Sequence, residues 1–264
     1  MKKITSIVCI AFANCILLTI GSTAQTLSPK VLPSSGGYYT GGGKSLSWTL
    51  GETFTATLSS VNNKLTQGFQ QPEISVYLVN AKAFIEGFYD GNGLMRPVIN
   101  PLSQPLLTDT IDLRLARNVS PFDILFSATS VLQTDGNVKF DFPISTSGNS
   151  YYLIMKHRNA VETWSAAPVT INYNLKYDFT TAASKAYGNN MTETFDHLGW
   201  AFYSGDINQD RAVDGSDFLI LDPDIQSGAG GYIVTDLNGD GSVDGSDFLV
   251  FDPNSQNGIG AITP

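Results

Sequence analysis

Short runs of apolar and β-branched residues, cut by glycine and Asx turns, fill most of this chain. Ser45–Leu50, Thr53–Leu58 and Lys64–Phe69 come first. From Ile74 the runs lengthen to Val76–Tyr89, Thr110–Ala116, Ile124–Leu132, Val138–Phe142, Tyr151–His157 and Val169–Tyr173, and Gly199–Tyr203 closes the set. Thr110 to Leu115 alternates polar and apolar side chains with period two, as a strand with one buried face does. Gly36-Gly37, Gly41-Gly42-Gly43, Asp90–Gly93 and Asp135–Asn137 fall between runs and are expected as turns. Many short strands divided by turns predict a mainly β fold, a β-sandwich of immunoglobulin-like or prealbumin-like type.

The pattern is different at both ends. Lys2 and Lys3 precede an apolar stretch from Ile4 to Ile20, and Ser22-Thr23-Ala24 supplies small residues for cleavage before Gln25. This order is that of a secretory signal peptide. The stretch is short for a membrane span and lacks a basic flank, so no span is expected after cleavage. Both cysteines, Cys9 and Cys15, fall inside it, which leaves the exported chain without a disulfide, thiolate nucleophile or cysteine metal site.

At the other end the chain repeats itself. Residues 205–234 and 235–264 align with a period of 30 and about half their positions are identical. Each copy carries an apolar run, Phe218–Leu221 or Phe248–Phe251, after an Asx-rich stretch. A helix is expected to begin near Ser216 or Ser246, capped by Ser or Asp. Asp222-Pro223 and Asp252-Pro253 are expected to end it, because a residue before proline avoids helical backbone angles. The pattern therefore divides the chain into 1–24, 25–72, 73–204 and 205–264.

Charge sharpens the division. Residues 201–264 hold eleven Asp and one basic residue, Arg211, whereas residues 25–200 hold thirteen acids and twelve bases. No basic patch exists to neutralise phosphates, which argues against a nucleic-acid partner.

The acids of the tail sit at fixed spacing. Calcium takes six to eight oxygens, and a twelve-residue EF-hand loop supplies them from positions 1, 3, 5, 7, 9 and 12. In the first copy these positions are Asp206, Asn208, Asp210, the Ala212 carbonyl, Asp214 and Asp217. In the second they are Asp236, Asn238, Asp240, the Ser242 carbonyl, Asp244 and Asp247. Two ions of calcium are expected, one per loop. Magnesium prefers a tighter, wetter octahedron, and transition metals prefer His or Cys, which the tail lacks. Val213 and Val243, at position 8, suit a short pairing between the two loops. Position 6 is Gly241 in one loop and Arg211 in the other, which predicts a weaker first site if that position needs positive φ.

A duplicated loop–helix with Asp at position 12 resembles the dockerin domain. The resemblance covers residues 205–264 and implies calcium-dependent binding to a cohesin-like or other surface protein. Loop positions 10 and 11, which help to set family recognition, are here Gly215-Ser216 and Gly245-Ser246. Residues 43–72, with GKSLSWTLGETF and LTQGFQQP, resemble a segment common in exported proteins of the Bacteroidetes. Residues 76–204, with AFIEGFYDGNGLM and YYLIMKHRNAVETWSA, resemble a β-domain that precedes acidic repeats in such proteins.

Catalytic chemistry has little support. Lys156-His157-Arg158-Asn159, near Glu162 and Trp164, could be a polar ligand site with Trp164 as a stacking face, or Arg158 and Asn159 could tie down a strand-end turn. His197 stands alone. Glu52, Glu86, Glu162 and Glu193 are not paired by any motif, as a glycosidase would need. No G-x-S-x-G elbow occurs. The expected function is that of a non-enzymatic, exported calcium-binding protein of the secreted or cell-surface space, whose last module stabilises the chain or attaches it. The alternative is a carbohydrate-active enzyme, or its accessory subunit, in polysaccharide degradation.

Overall fold

The computed structural model describes residues 76–264 throughout and, before them, the backbone of four strands at 35–41, 44–50, 57–59 and 64–66. The expected signal peptide lies outside the described residues. The chain divides into two compact units, Met1–Glu73 and Ile74–Pro264. In the first, β1 (Ser35–Gly41) pairs antiparallel with β2 (Lys44–Leu50), and β3 (Thr57–Ser59) pairs with β4 (Lys64–Thr66). Gly36 and Gly37 were expected in a turn but lie within β1, opposite Thr49 and Trp48. Glycine weakens a strand without forbidding it, and a partner strand satisfies its backbone groups all the same.

The second unit begins with β5 (Val76–Lys82), held between β10 (Asn137–Pro143) on one side and β14 (Leu175–Asp178) on the other. The β5–β14 pairing is parallel, so this sheet is mixed. A second sheet orders β12 (Ala160–Trp164), β11 (Ser150–His157), β8 (Leu107–Arg117) and β9 (Ile124–Gln133), with β13 (Val169–Thr170) also on β11. Val138, Phe140 and Phe142 of β10 alternate inward and meet Ile111, Leu113 and Leu115 of β8 and Leu153 of β11 in one core. Burying each such side chain contributes about 1.5–3 kcal/mol, which is what holds the sheets face to face.

The run Val76–Tyr89 is not one strand. β5 ends at Lys82, and a 3-10 turn spans Glu86–Phe88. The hairpin β6 (Tyr89–Gly91) with β7 (Leu94–Met95) follows. Ala83, Phe84, Ile85 and Phe88 are all buried, so consecutive apolar residues mark a corner of the core where the chain changes partners. Val169–Tyr173 likewise contributes only the two residues of β13.

Strands β12 and β14 fall outside the expected set. All five residues of β12 are buried. Ala160 joins the sheet core, Val161 the core of the C-terminal module, and Trp164 a third cluster with Ala116 and Ile154. A strand covered on both faces has no alternation to read.

The tail folds as two loop–helix units. Helix α1 spans Gly215–Ser227 and α2 spans Gly245–Gln256. Their N-caps are Asp214 and Asp244, each closed by a capping box with Asp217 or Asp247. The apolar faces pack on each other as expected, with the Phe218 and Phe248 rings 5.8 Å apart and the Phe218 and Phe251 rings 6.0 Å apart. Pro223 and Pro253, however, lie inside the helices and do not end them. Each removes one amide that would bond the carbonyl four residues back, at Leu219 or Leu249. Both residues face solvent, where water satisfies the carbonyl. Gln226 and Gln256 also donate to Asp222 and Asp252 across the proline step, at 2.5 and 2.7 Å.

Candidate metal centre and its seam with the sheet

The two loops share one internal wiring. Asp217 Oδ1 accepts the amides of Ile207 and Asn208 at 2.7 and 2.9 Å, and Asp247 Oδ1 accepts those of Leu237 and Asn238 at 2.7 and 3.1 Å. Their Oδ2 atoms accept the amides of Asp214 and Asp244. Asn208 and Asn238 accept the amides of Asp210 and Asp240, each at 2.8 Å. Asp210 and Asp240 accept those of Ala212 and Ser242. Asp214 and Asp244 hold the Ser216 and Ser246 amides at 2.7 Å. These eight side chains, at positions 3, 5, 9 and 12 of each loop, are therefore curled around their own loops.

Position 6 has positive φ in both, +83° at Arg211 and +87° at Gly241. Position 4 does too, at Gln209 and Gly239. The first loop thus holds two side-chain-bearing residues in a region that favours glycine. Its position-1 carboxylate differs as well. Asp236 accepts two amides, from Gly239 at 2.8 Å and Gly241 at 3.0 Å. Asp206 accepts only Arg211, at 3.2 Å, and its buried Oδ1 has no partner.

The electrostatics fit a cation. Burial, followed by the charges of Asp217 and Asp210, pushes Asp206 up to about 6. Burial also raises Asp236 and Asp247. Among the described residues no three His, Cys, Asp or Glu side chains are drawn together tightly enough to hold a metal. The donor set here is mixed, with an Asn oxygen and a backbone carbonyl in each loop, and the carboxylates are turned onto amides. An orphaned buried oxygen and surplus negative charge are the features that a hard cation relieves.

The loops do not pair with each other. Val213 donates to Ile259 and Val243 to Ala229, both at 2.8 Å, while Arg211 and Gly241 accept from Ala261 and Gly231. Each loop therefore bonds to the segment that follows the other repeat's helix, with an offset of 30 at every partner. Position 8 does serve as a pairing site, but its partner is a helix-exit segment. The bridges use the residue 211 and 241 carbonyls, so those of Ala212 and Ser242 take no part in them.

Lys156–Asn159 marks where the module meets the sheet. Arg158 Nε bonds Asp109 at 2.8 Å, and its Nη1 donates to the Ile233 carbonyl. Tyr232 donates to Asp109, and its ring lies under the Arg158 guanidinium at 4.6 Å. His157 Nε2 is 3.2 Å from the same carboxylate. Burial would raise Asp109, but His157, Arg158 and Tyr232 outweigh it and hold the carboxyl well below the usual range. The strand-end tie is therefore real, and it ties the turn to the repeat. Trp164 is no stacking face: it is buried and donates to Glu162 at 2.9 Å. Glu86 accepts from Ser204 and Asn254, Glu162 meets Arg211 at 3.3 Å, and exposed Glu193 meets His197 at 3.2 Å. Glu52 lies outside the described residues.

Sequence reasoning missed the rest of this seam. A Cβ on Gly87 would stand 2.0 Å from the Leu237 carbonyl, and one on Gly239 would stand 2.7 Å from Val98 and 2.9 Å from Phe88. Asn254 Nδ2 reaches Glu86 at 2.6 Å and the Ser204 carbonyl at 2.9 Å. A signal for these contacts was present. Gly239, Arg211, Tyr232 and Asn254 stand where the other repeat has Gln209, Gly241, Ile262 and Asp224, so the differences between copies trace the surface against the sheet.

Residues 204–252 match the family model of the dockerin type I domain. This module is a dockerin type I domain. Domains of this type bind calcium. Two solved structures resemble the larger chain: N-terminal and C-terminal interface mutants of a type II cohesin–X-dockerin complex from Acetivibrio cellulolyticus. Each is 12% identical and covers 68% of this chain and 95% of its own, with TM-scores of 0.41 and 0.40. No curated protein matches.

Proposed function

We propose that this is an exported calcium-binding protein whose dockerin module attaches the β-domain to a cohesin-type surface partner. Asp206, Asn208, Asp210, Ala212, Asp214 and Asp217 hold one ion, and Asp236, Asn238, Asp240, Ser242, Asp244 and Asp247 hold another. The observation that carries this reading is the same amide-to-carboxylate wiring in two loops 30 residues apart. Calcium supplies charge neutralisation at the loop centre. The chain's own residues supply the rest: caps that start the helices, amides that aim the carboxylates, and an apolar helix pair that fixes the two loops together. Metal binding and folding of the module are coupled, because clustered carboxylates repel without a cation.

The exposed helix faces, with Leu219 and Leu249 at equivalent positions, are offered to the partner. No catalytic step is assigned. The test is calorimetry of the purified chain against a panel of cohesin modules, with calcium and with chelator. Calcium-dependent binding supports attachment, and none across the panel sinks it.

A second reading is favoured by the seam. Asn254, Arg158 and Asn159 bind the module to the sheet, so calcium could serve only to brace the chain. Protease protection by calcium without any partner would select it.

A further inference from the structure

Asn159 occupies a position that neither calcium loop explains. It is fully buried at the turn between β11 and β12. Its carbonyl accepts the amide of Gly205, at 2.8 Å, immediately before the first loop position of the first repeat. Its side-chain Nδ2 donates to the carbonyl of Asp236, at 3.0 Å, the first position of the second loop. One residue of the sheet therefore holds the starts of both loops, 46 and 77 positions away in the chain. The neighbouring pairing reinforces the grip, since Ala160 bridges Ser204 and Val161 donates to Tyr203 at 2.8 Å.

We infer that Asn159 is a positioning residue shared by the two loops, and that through it calcium at one loop raises the affinity of the other. The inference rests on the calcium assignment above. Position 1 is tied into the turn of its loop, because its carboxylate receives the position-6 amide in both copies. A cation that pulls Asp236 into place also fixes its carbonyl, and so orders the Asn159 side chain. Ordering Asn159 fixes the carbonyl that holds Gly205, and the ordering cost of the first loop falls. Coupling of this kind is reciprocal: each ion helps the other by the same factor. The truncation Asn159→Ala cuts the link at one end only, since the Gly205 bond is to its backbone.

The test is a double-mutant cycle on the full chain, titrated with calcium alone. First-loop affinity is measured with the second loop intact and with Asp240→Ala. Their ratio is the coupling, expected at about fivefold or more. The cycle is then repeated with Asn159→Ala, where the ratio is expected to fall towards one and second-loop affinity about tenfold, as for a lost buried hydrogen bond. An unchanged ratio, or a ratio of one in the parent chain, overturns the inference and leaves the calcium sites standing. Failure of the parent chain to bind calcium at all overturns both.

Should Asn159→Ala not fold, amide exchange at Gly205 provides the answer without touching Asn159. At saturating calcium its protection is expected to drop in the Asp240→Ala chain, and equal protection in both chains overturns the coupling.

Discussion

Arg211 Nη2 lies 3.3 Å from Glu162 Oε1, so the side chain that strains the first loop reaches a buried carboxylate on β12. The two effects oppose each other. A residue other than glycine at φ +83° costs on the order of 1 kcal/mol. Glu162, fully enclosed and otherwise bonded to Trp164, gains a counter-charge from outside its own sheet. The repeat that lacks a glycine at position 6 has exchanged loop comfort for a tether.

Comparing two substitutions separates strain from tether. Arg211→Gly and Arg211→Ala both lose the ion pair, but only the first relieves the backbone. Arg211→Gly is expected to be more stable by about 1 kcal/mol in urea melts with chelator present. Equal stabilities would show that the backbone stores no strain there.

The same asymmetry is expected to order the two proposed metal sites. Asp240→Ala leaves the first loop to bind alone, and Asp210→Ala leaves the second. The surviving second loop is expected to bind calcium more tightly, because its glycines sit at both positive-φ positions and its Asp236 already accepts two amides. Titration with calcium reads both, and a tighter first loop would contradict the account.

Gly87 offers a test of the seam. Its missing side chain leaves room for the Leu237 carbonyl, which a Cβ would approach to 2.0 Å. Gly87→Ala is expected to destabilise the chain by about 1–3 kcal/mol, as overpacking does. Thermal melts should show this with and without calcium. A neutral effect would mean that the module and the 3-10 turn part easily.

Acidity should weaken the effect of calcium. Asp206 titrates at about 6 in the folded chain, against about 3.9 when unfolded. Between these values the folded, metal-free chain binds a proton that the unfolded chain lacks, so its stability falls as pH rises and the loss is complete above about 6. Asp236 and Asp247 shift in the same direction. Asp109 has the opposite sign: its contribution is present above the unfolded value and is lost as pH falls below about 4. Calcium must displace the Asp206 proton, so the rise in Tm that it produces should be smaller at pH 5 than at pH 7. Melts at both values, with calcium and with chelator, check the sign, and a rise independent of pH would place Asp206 fully ionised throughout.

What the sequence made legible was what repeats or alternates. Asp214 and Asp244 as helix caps, Thr110–Leu115 as a half-buried strand and the packing of Phe218 and Leu221 all follow from local chemistry. Pro223 and Pro253 misled, because whether a proline ends a helix depends on whether the freed carbonyl meets water, and that is a tertiary fact. β12 was illegible for a related reason. Ala160–Trp164 is covered on both sides and carries Glu162, whose partner is half a hundred residues away. Asn159 looked like turn punctuation, and nothing local shows that its carbonyl and amide serve two distant loops.

The crossed bonding between the repeats also has a mechanical side. Tension applied at the C-terminus would fall first on the bonds that Ile259 and Ala261 make to Val213 and Arg211, and on Asn190 holding the Gly260 carbonyl at 2.9 Å. The first two brace the loop of the other repeat. A pull on the last residues would therefore loosen the first loop before the second, and the module would yield from its first repeat onward.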